Sequence, residues 1–322
     1  MKSSIKKYDV LVAGELNVDL IMNKLSAFPE EGKEVFAEQM TLTLGSSAAI
    51  FASNLSSLGA SVAFIGKVGN DAFGDLVIQS LQKNNVDTSM IIRSNDLVTG
   101  ATVGFNLGVD RAAVTYAGAM EQLTFDDIPL EKFEHARHLH FSSYFFQPGI
   151  RQNVGDLFYE AKRAGMSTSF DMQCDPADKW DINYKAILPY VDIFLPNEKE
   201  LLIITKNKNL DNAIAELKDI VKILAVKLGD KGSVVAYNNK VNYQHAFAVD
   251  NLIDTIGAGD SFDAGFIFKF LQNASIETCQ SFGNLVGAIS TTAAGGTTAF
   301  HDLTNLIEYA REKFGYTEKS FT

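Results

Sequence analysis

The sequence predicts an α/β fold, a mainly parallel sheet covered by helices on both faces, and three observations predict it. Short apolar runs alternate with helical patterns through the middle of the chain, the pattern of successive βαβ units. The first run, Tyr8-Asp9-Val10-Leu11-Val12-Ala13-Gly14, reads as a buried strand ending at glycine. Late in the chain, Asp254-Thr255-Ile256-Gly257-Ala258-Gly259-Asp260-Ser261-Phe262 opens a helical pattern in which Phe262, Phe266, Phe270, Ile267 and Leu271 form an apolar stripe along one face. At 322 residues, 46% hydrophobic and 21% charged, the chain suits one large soluble domain with an ample core.

Composition excludes several classes of function. A net charge of -11 argues against nucleic acid or an anionic membrane as the main partner, though a helix N-terminus still holds a nucleotide's phosphates locally. Cys174 and Cys279 form neither a metal-ligand cluster nor a disulfide framework, which fits a reducing cytosol. The five histidines show no metal-binding spacing, and His135, His138 and His140 read as packing or surface residues. No long apolar run suggests a membrane span, and residues 1–7 are polar and lack the apolar core of a signal peptide, so a cytoplasmic protein is expected. Neither a G-x-x-x-x-G-K-[ST] loop nor a G-x-G-x-x-G after the first strand is present, which lowers the Walker-type and dinucleotide readings.

Taken in order, the first strand is followed by Glu15-Leu16-Asn17-Val18-Asp19, polar residues at the end of a parallel strand where open α/β sheets place ligands. On spacing alone Asp19 is a turn cap. Residues 21–44, with Pro29 and Gly32, read as short strands of a lid. Gly45 to Leu55 is an Ala-rich helix closed by Leu58-Gly59. Gly66 to Gly74 is a strand end and helix start. Residues 99–106 and 112–116 flank Gly108-Val109-Asp110-Arg111 as a hairpin that completes the lid, with Phe105, Asn106 and Tyr116 as candidate substrate contacts.

The middle of the chain supplies strands at 138–142, 167–171, 193–196 and 223–228, with helices at 150–163, at 184–188, through Glu200 and Leu202, and at 211–219 between them. Asp171 stands at a strand's C-terminal end, facing the expected cleft or closing a turn. Asn197-Glu198-Lys199-Glu200 reads as an N-cap with an acidic first turn. Lys227-Leu228-Gly229-Asp230-Lys231-Gly232 is a strand-to-turn segment whose lysine either reaches a phosphate or is solvated. Residues 275–292, including Asn284, form a helix leading into Ala293-Ala294-Gly295-Gly296-Thr297-Thr298, and 303–314 reads as a closing surface helix.

Gly257, Ala258 and Gly259 fall in the first helical turn, where N–H groups have no intrahelical partner and the macrodipole is positive. Such a start either closes a tight loop or receives a phosphate. Asp260 adds a carboxylate at that point, either an early-turn acid favoured by the dipole or a general base for a hydroxyl that attacks a phosphoryl group.

The full string D-T-x-G-A-G-D-x-F resembles the second signature of the PfkB (ribokinase-like) carbohydrate kinase family, and every fixed position matches. The resemblance runs from Asp9 to Thr298 with motifs in the family's order. It implies a three-layer α/β/α domain over 1–322, with a small β-sheet lid from about 15–44 and 99–117. It implies Asp260 as catalytic base and the Gly257, Ala258, Gly259 and Asp260 amides as the hole for the transferring phosphate. Gly14, Glu15 and Asp19 match the family's G-[ED]-x-x-x-D, which gives Asp19 to the sugar hydroxyls. Gly45 and Ser46 begin the first signature on the substrate side, usually G-G-x-x-x-N; here Ser46 replaces the second Gly and Ile50 replaces the Asn. Asn106 and Asp171 join the substrate side.

Asn197 and Glu200 resemble the family's N-x-x-E motif, which organises Mg²⁺ and phosphate. Lys227, Gly229 and Gly232 resemble the nucleotide-side G-x-x-G segment, and Asn284 the nucleotide-side Asn. Asp254 and the 293–298 loop stand where members often coordinate a monovalent cation such as K⁺. The implied activity is transfer of the ATP γ-phosphoryl to an unphosphorylated sugar or sugar acid, because Arg111 is the only obvious cation in the substrate-side segments. A nucleoside kinase and a sugar- and nucleotide-binding regulator without turnover remain the alternatives. A homodimer through the lid is expected on family grounds.

Overall fold

The computed structural model describes residues 6–107 and 110–316. Thirteen strands are present among them: β1 (Tyr8–Ala13), β2 (Asn17–Leu25), β3 (Ala37–Leu44), β4 (Val62–Gly69), β5 (Asp87–Ser94), β6 (Gly100–Leu107), β7 (Asp110–Tyr116), β8 (Ala136–Ser142), β9 (Ser167–Asp171), β10 (Ile193–Phe194), β11 (Ile223–Lys227), β12 (Ser233–Tyr237) and β13 (Lys240–Gln244). Nine make one sheet in the order β13-β12-β11-β10-β9-β8-β1-β4-β5, and four make a second in the order β3-β2-β6-β7.

The large sheet is parallel from β11 to β5; only the β12 and β13 edge runs antiparallel. Its strands are apolar on both faces because both faces are covered. In β1, Val10 and Val12 enter one core with Phe51, Phe64 and Phe266, while Leu11 and Ala13 enter the other with Phe141, Phe158 and Phe170. β1 pairs with β4 on one side and β8 on the other. The chain fills one side of β1 first and then returns to fill the other. That reversal opens a crevice at the C-terminal strand ends, the place where doubly wound sheets bind ligands.

The helix Ala258–Leu271 packs against the helices Ser47–Ser57 and Ile276–Ser290. The expected one-sided stripe is corrected here: Asp260 to Lys269 are all buried, so the helix is enclosed rather than amphipathic. Gly265 permits this, since a Cβ there would lie 2.8 Å from Val286 Cγ2. Two further expectations are adjusted. The 150–163 helix is two pieces, Pro148–Arg151 and Val154–Arg163. The 193–196 strand is only Ile193–Phe194, because Pro196 has no N–H to give to a ladder. The β12–β13 hairpin had no counterpart in the sequence reading.

The small sheet has two unlike faces. Cross-strand register puts Leu42, Leu20, Val103 and Val114 in one row and Met40, Met22, Phe105 and Ala112 in the next, all on one face. Thr43, Asp19, Thr102 and Thr115 form a row on the other. The apolar face is open to solvent, with Met40 65%, Val114 66% and Tyr116 59% exposed. Residues 108–109 of the expected turn, and the Arg111 side chain, lie outside the described residues.

Candidate active site

Asp260 occupies the floor of the crevice. Gly257 caps its helix in a left-handed conformation (φ 73°), and a Cβ there would lie 2.7 Å from Gly296 Cα. Both facts require glycine. Asp260 is only 7% exposed, in the helix's first turn, and its Oδ1 accepts from Gln173 Nε2 at 2.9 Å. Burial, reinforced by the Asp171 and Glu15 charges and opposed by Lys227, pushes its carboxyl up to about 8.

Lys227 ends β11 and is neither solvated nor free to roam. Its Nζ lies 2.8 Å from Asp171 Oδ2 and 3.0 and 3.2 Å from the two Asp263 oxygens. Burial alone would lower the lysine, but Asp171, Asp263 and Glu200 outweigh it and hold the ammonium charged. Glu200 and Asn197 close a reciprocal capping box: Asn197 N–H and Nδ2 donate to Glu200 at 2.9 and 2.6 Å, and Glu200 N–H donates to Asn197 Oδ1 at 2.9 Å. Burial and the Asp171 charge push Glu200 up to about 7 against the pull of Lys227.

A cavity of about 530 Å³ opens on one side of Asp260's helix, with Lys227, Gly229, Gly232, Thr255, Gly259 and Asn284 among its walls. Asn284 Nδ2 is buried there without a hydrogen-bond partner, an open donor facing a ligand-sized space. Gly229 and Gly232 adopt φ of 63° and 99°, and a Cβ on Gly232 would overlap the Gln244 carbonyl.

A second cavity, of about 260 Å³, lies at the polar face of the small sheet between Asp19, Ile21, Thr102, Asn106, Ala113 and Ile256. Asn17 Nδ2 donates to Asp19 Oδ1 at 3.1 Å and to Thr102 Oγ1 at 3.0 Å. Burial pushes Asp19 up to about 6. Asn106 Nδ2 donates to Asn23 Oδ1 at 2.8 Å. Gly45 packs against the Asp19 carboxyl, and a Cβ there would stand 2.7 Å from Asn17 Oδ1. The Ser46 hydroxyl is engaged in helix capping, accepting from Ala49 N and donating to the Glu15 carbonyl.

The structure therefore gathers Asp171, Lys227, Glu200 and Asp260 into one electrostatic group, and Asp19 and Asn106 into another; Asp171 is not on the wall of the smaller cavity. Asp254 joins two loops, accepting from Ile256 N and from Gly295 N, each at 3.0 Å. Ile50 packs onto Gly257 and Gly296, so the residue that departs from the family Asn fills an apolar wedge behind the helix start. Asn54, one helical turn on, donates to Ser261 Oγ and to the Gly296 carbonyl, each at 2.9 Å. Sequence reasoning passed over Gln173 and Asp263. Asp263 was detectable as the acid one turn beyond Asp260; Gln173 carried no signal of its own.

Comparison with known proteins gives the family. The family model described as "pfkB family carbohydrate kinase" matches residues 7–303. A 2-dehydro-3-deoxygluconokinase from Bacillus subtilis is 31% identical over 261 residues, covering 76% of this chain and 79% of that protein. The structure of an adenosine kinase from Sinorhizobium meliloti superposes with a TM-score of 0.82 at 25% identity, covering 95% of this chain and 99% of that one. Arabidopsis thaliana ribokinase, solved with ribose and ATP, superposes at 0.80 with 24% identity, covering 94% and 98%. The chain belongs to the pfkB family of carbohydrate kinases, phosphotransferases with an alcohol group as acceptor.

Proposed function

We propose that this chain transfers the γ-phosphoryl group of ATP to a hydroxyl, a primary CH₂OH, of an unphosphorylated sugar or sugar acid such as ribose, fructose or 2-keto-3-deoxygluconate. The observation that carries this reading is Asp260: a buried carboxyl, pushed up to about 8, in the first turn of a helix whose glycine start borders a nucleotide-sized cavity. A carboxylate made more basic by burial takes a hydroxyl proton as the oxygen attacks phosphorus. The amides of residues 257–260, at the positive end of the helix, stabilise the charge that develops on the transferring group.

Asp19, Asn106 and the Gly45–Ser46 backbone hold the acceptor. Lys227, Gly229, Gly232 and Asn284 hold the nucleotide. No three acids, histidines or cysteines converge as a metal site among the described residues, so Mg²⁺ would arrive with the phosphates of the nucleotide. Both Glu200 oxygens already accept from Asn197, so Glu200 would hold Mg²⁺ through water, and the ion would neutralise phosphate charge. Asp254 and the 293–298 loop fit a K⁺ site in the same reading.

The small sheet, within 15–44 and 99–117, serves as a lid on a single domain, and its exposed apolar face pairs two subunits. A cytoplasmic enzyme fits the exposed free thiol of Cys174. Ile21, Ala113 and Ile256 on the acceptor cavity wall favour one other acceptor, a nucleoside with an apolar base face. The test is ADP release with Mg²⁺ and K⁺ across sugars, sugar acids, sugar phosphates and nucleosides. Turnover of one neutral sugar or sugar acid is expected. A nucleoside hit selects the alternative acceptor, and silence with ATP still bound selects a non-catalytic regulator.

A further inference from the structure

Gln173 stands two residues beyond the end of β9 with a left-handed backbone (φ 59°), a conformation non-glycine residues keep only where their surroundings enforce it. Its backbone N–H donates to Asp171 Oδ1 at 3.2 Å. Its Nε2 donates to Asp171 Oδ2 at 2.6 Å and to Asp260 Oδ1 at 2.9 Å. An atom lying between two carboxylate oxygens has to be a donor, so its neighbours fix the orientation of the carboxamide. Asp171 is anchored in turn by Lys227, and Lys227 by Asp263. A continuous polar chain thus runs Asp263–Lys227–Asp171–Gln173–Asp260. Its three aspartates are buried, whereas Lys227 and Gln173 are half-buried at the crevice.

We propose that Gln173 is a positioning residue for phosphoryl transfer: its carboxamide, braced by Asp171, fixes the plane of the Asp260 carboxyl that receives the acceptor's proton. The proposal rests on the reading of Asp260 as base. Rotation about the last torsion of an aspartate is soft, so an unbraced carboxyl samples orientations that do not meet an incoming hydroxyl. The charged groups that act on Asp260 are Asp171 at the end of β9, Lys227 at the end of β11 and Glu15 beyond β1; Asp263 lies one turn along its own helix. Gln173 donates a neutral hydrogen bond directly to the carboxyl, and the Ser47 hydroxyl is a second neutral donor to it. A donor to the ionised form lowers a carboxyl's pKa, so its loss raises it.

The experiment uses Gln173→Leu and the isosteric Gln173→Glu beside Asp260→Asn. The Asp260 carboxyl is titrated by ¹³C NMR in aspartate-labelled protein and identified by the signal that Asp260→Asn removes. ADP release is followed with D-ribose, D-fructose and 2-keto-3-deoxygluconate as probes, and ATP binding by calorimetry. In Gln173→Leu the titration is expected to move up by about one pH unit, and further in Gln173→Glu, where a like charge replaces a donor. The kcat is expected to fall roughly 10-fold to 100-fold with ATP affinity unchanged. A merely structural glutamine would leave the Asp260 titration where it is. An inactive Asp260→Asn beside an unmoved titration in both Gln173 variants would overturn the proposal alone; full turnover by Asp260→Asn would overturn the base reading and the proposal with it.

Discussion

Replacing Lys227 by Met removes the ammonium that Asp171 and Asp263 share while keeping an unbranched apolar stem one atom shorter. Nζ sits 2.8 Å from Asp171 and 3.0 Å from Asp263, and both acids are 1% exposed at the side chain. Deleting one partner of such a buried group leaves charge without compensation, which costs about 3–5 kcal/mol. Burial already raises the Asp263 carboxyl against the pull of Lys227; without the lysine nothing opposes that rise, and Asp263 takes up a proton on folding. A group raised in this way loses stability as pH climbs above its unfolded value near 4, by up to about 1.4 kcal/mol per pH unit. The penalty of Lys227→Met is therefore larger at pH 8 than at pH 5. Urea unfolding followed by circular dichroism at both pH values measures it. Adding Asp171→Asn and Asp263→Asn to Lys227→Met removes the stranded charges and recovers most of the loss. A penalty under about 1 kcal/mol, or one equal at the two pH values, would refute the shared-counterion reasoning.

Three further outcomes follow from the geometry. Gly45→Ala drives a Cβ into the Asp19 carboxyl and is expected to raise the acceptor KM roughly tenfold without changing ATP affinity, as steady-state kinetics on the panel's best acceptor will read; an unmoved KM would take Asp19 out of acceptor binding. Val114→Asp puts a charge in the middle of the exposed apolar face of the small sheet and is expected to convert a dimer to a monomer in light scattering; a monomeric wild type would refute pairing through that face. His138 is held neutral, pushed down to about 3 by burial, and its ring nitrogens meet Ser167 and Ser169 hydroxyls at 2.7 Å. Unfolding takes up a proton there, so stability falls as pH drops from 6.5 toward 3, by up to about 1.4 kcal/mol per pH unit. His138→Phe is expected to flatten that acid limb in urea midpoints taken across pH; an unchanged slope would show that the histidine does not couple folding to acid.

The legible parts of the molecule are those written in local chemistry. The run from Tyr8 to Gly14 is apolar at every position but Asp9, and only a strand buried on both faces uses such a run. The helix starting at Ala258 was readable because the glycines before it and the phenylalanines within it carry separate signals. Asn197 is the N-cap its sequence context foretells, and Glu200 closes it into a capping box. What remained unreadable depends on distant neighbours. The helical period of the phenylalanines places them on one side, but says nothing of two other helices closing over the rest. Ile50 reads as an acceptor-side substitution until Gly257 and Gly296 are seen against it. Lys227 is an ordinary strand-end lysine in the sequence; its meaning comes from acids 56 and 36 residues away. Gln173 is the extreme case, since its contact with Asp260 spans 87 residues.

The most direct measurement is steady-state kinetics of Asp260→Asn, with ATP binding measured on the same protein. The amide keeps the size of the carboxyl and its place in the helix's first turn but cannot take a proton. If Asp260 is the base, kcat falls by roughly 10²–10⁴ while ATP affinity is largely retained. An unchanged kcat would contradict the assignment of Asp260 and the chemistry built on it.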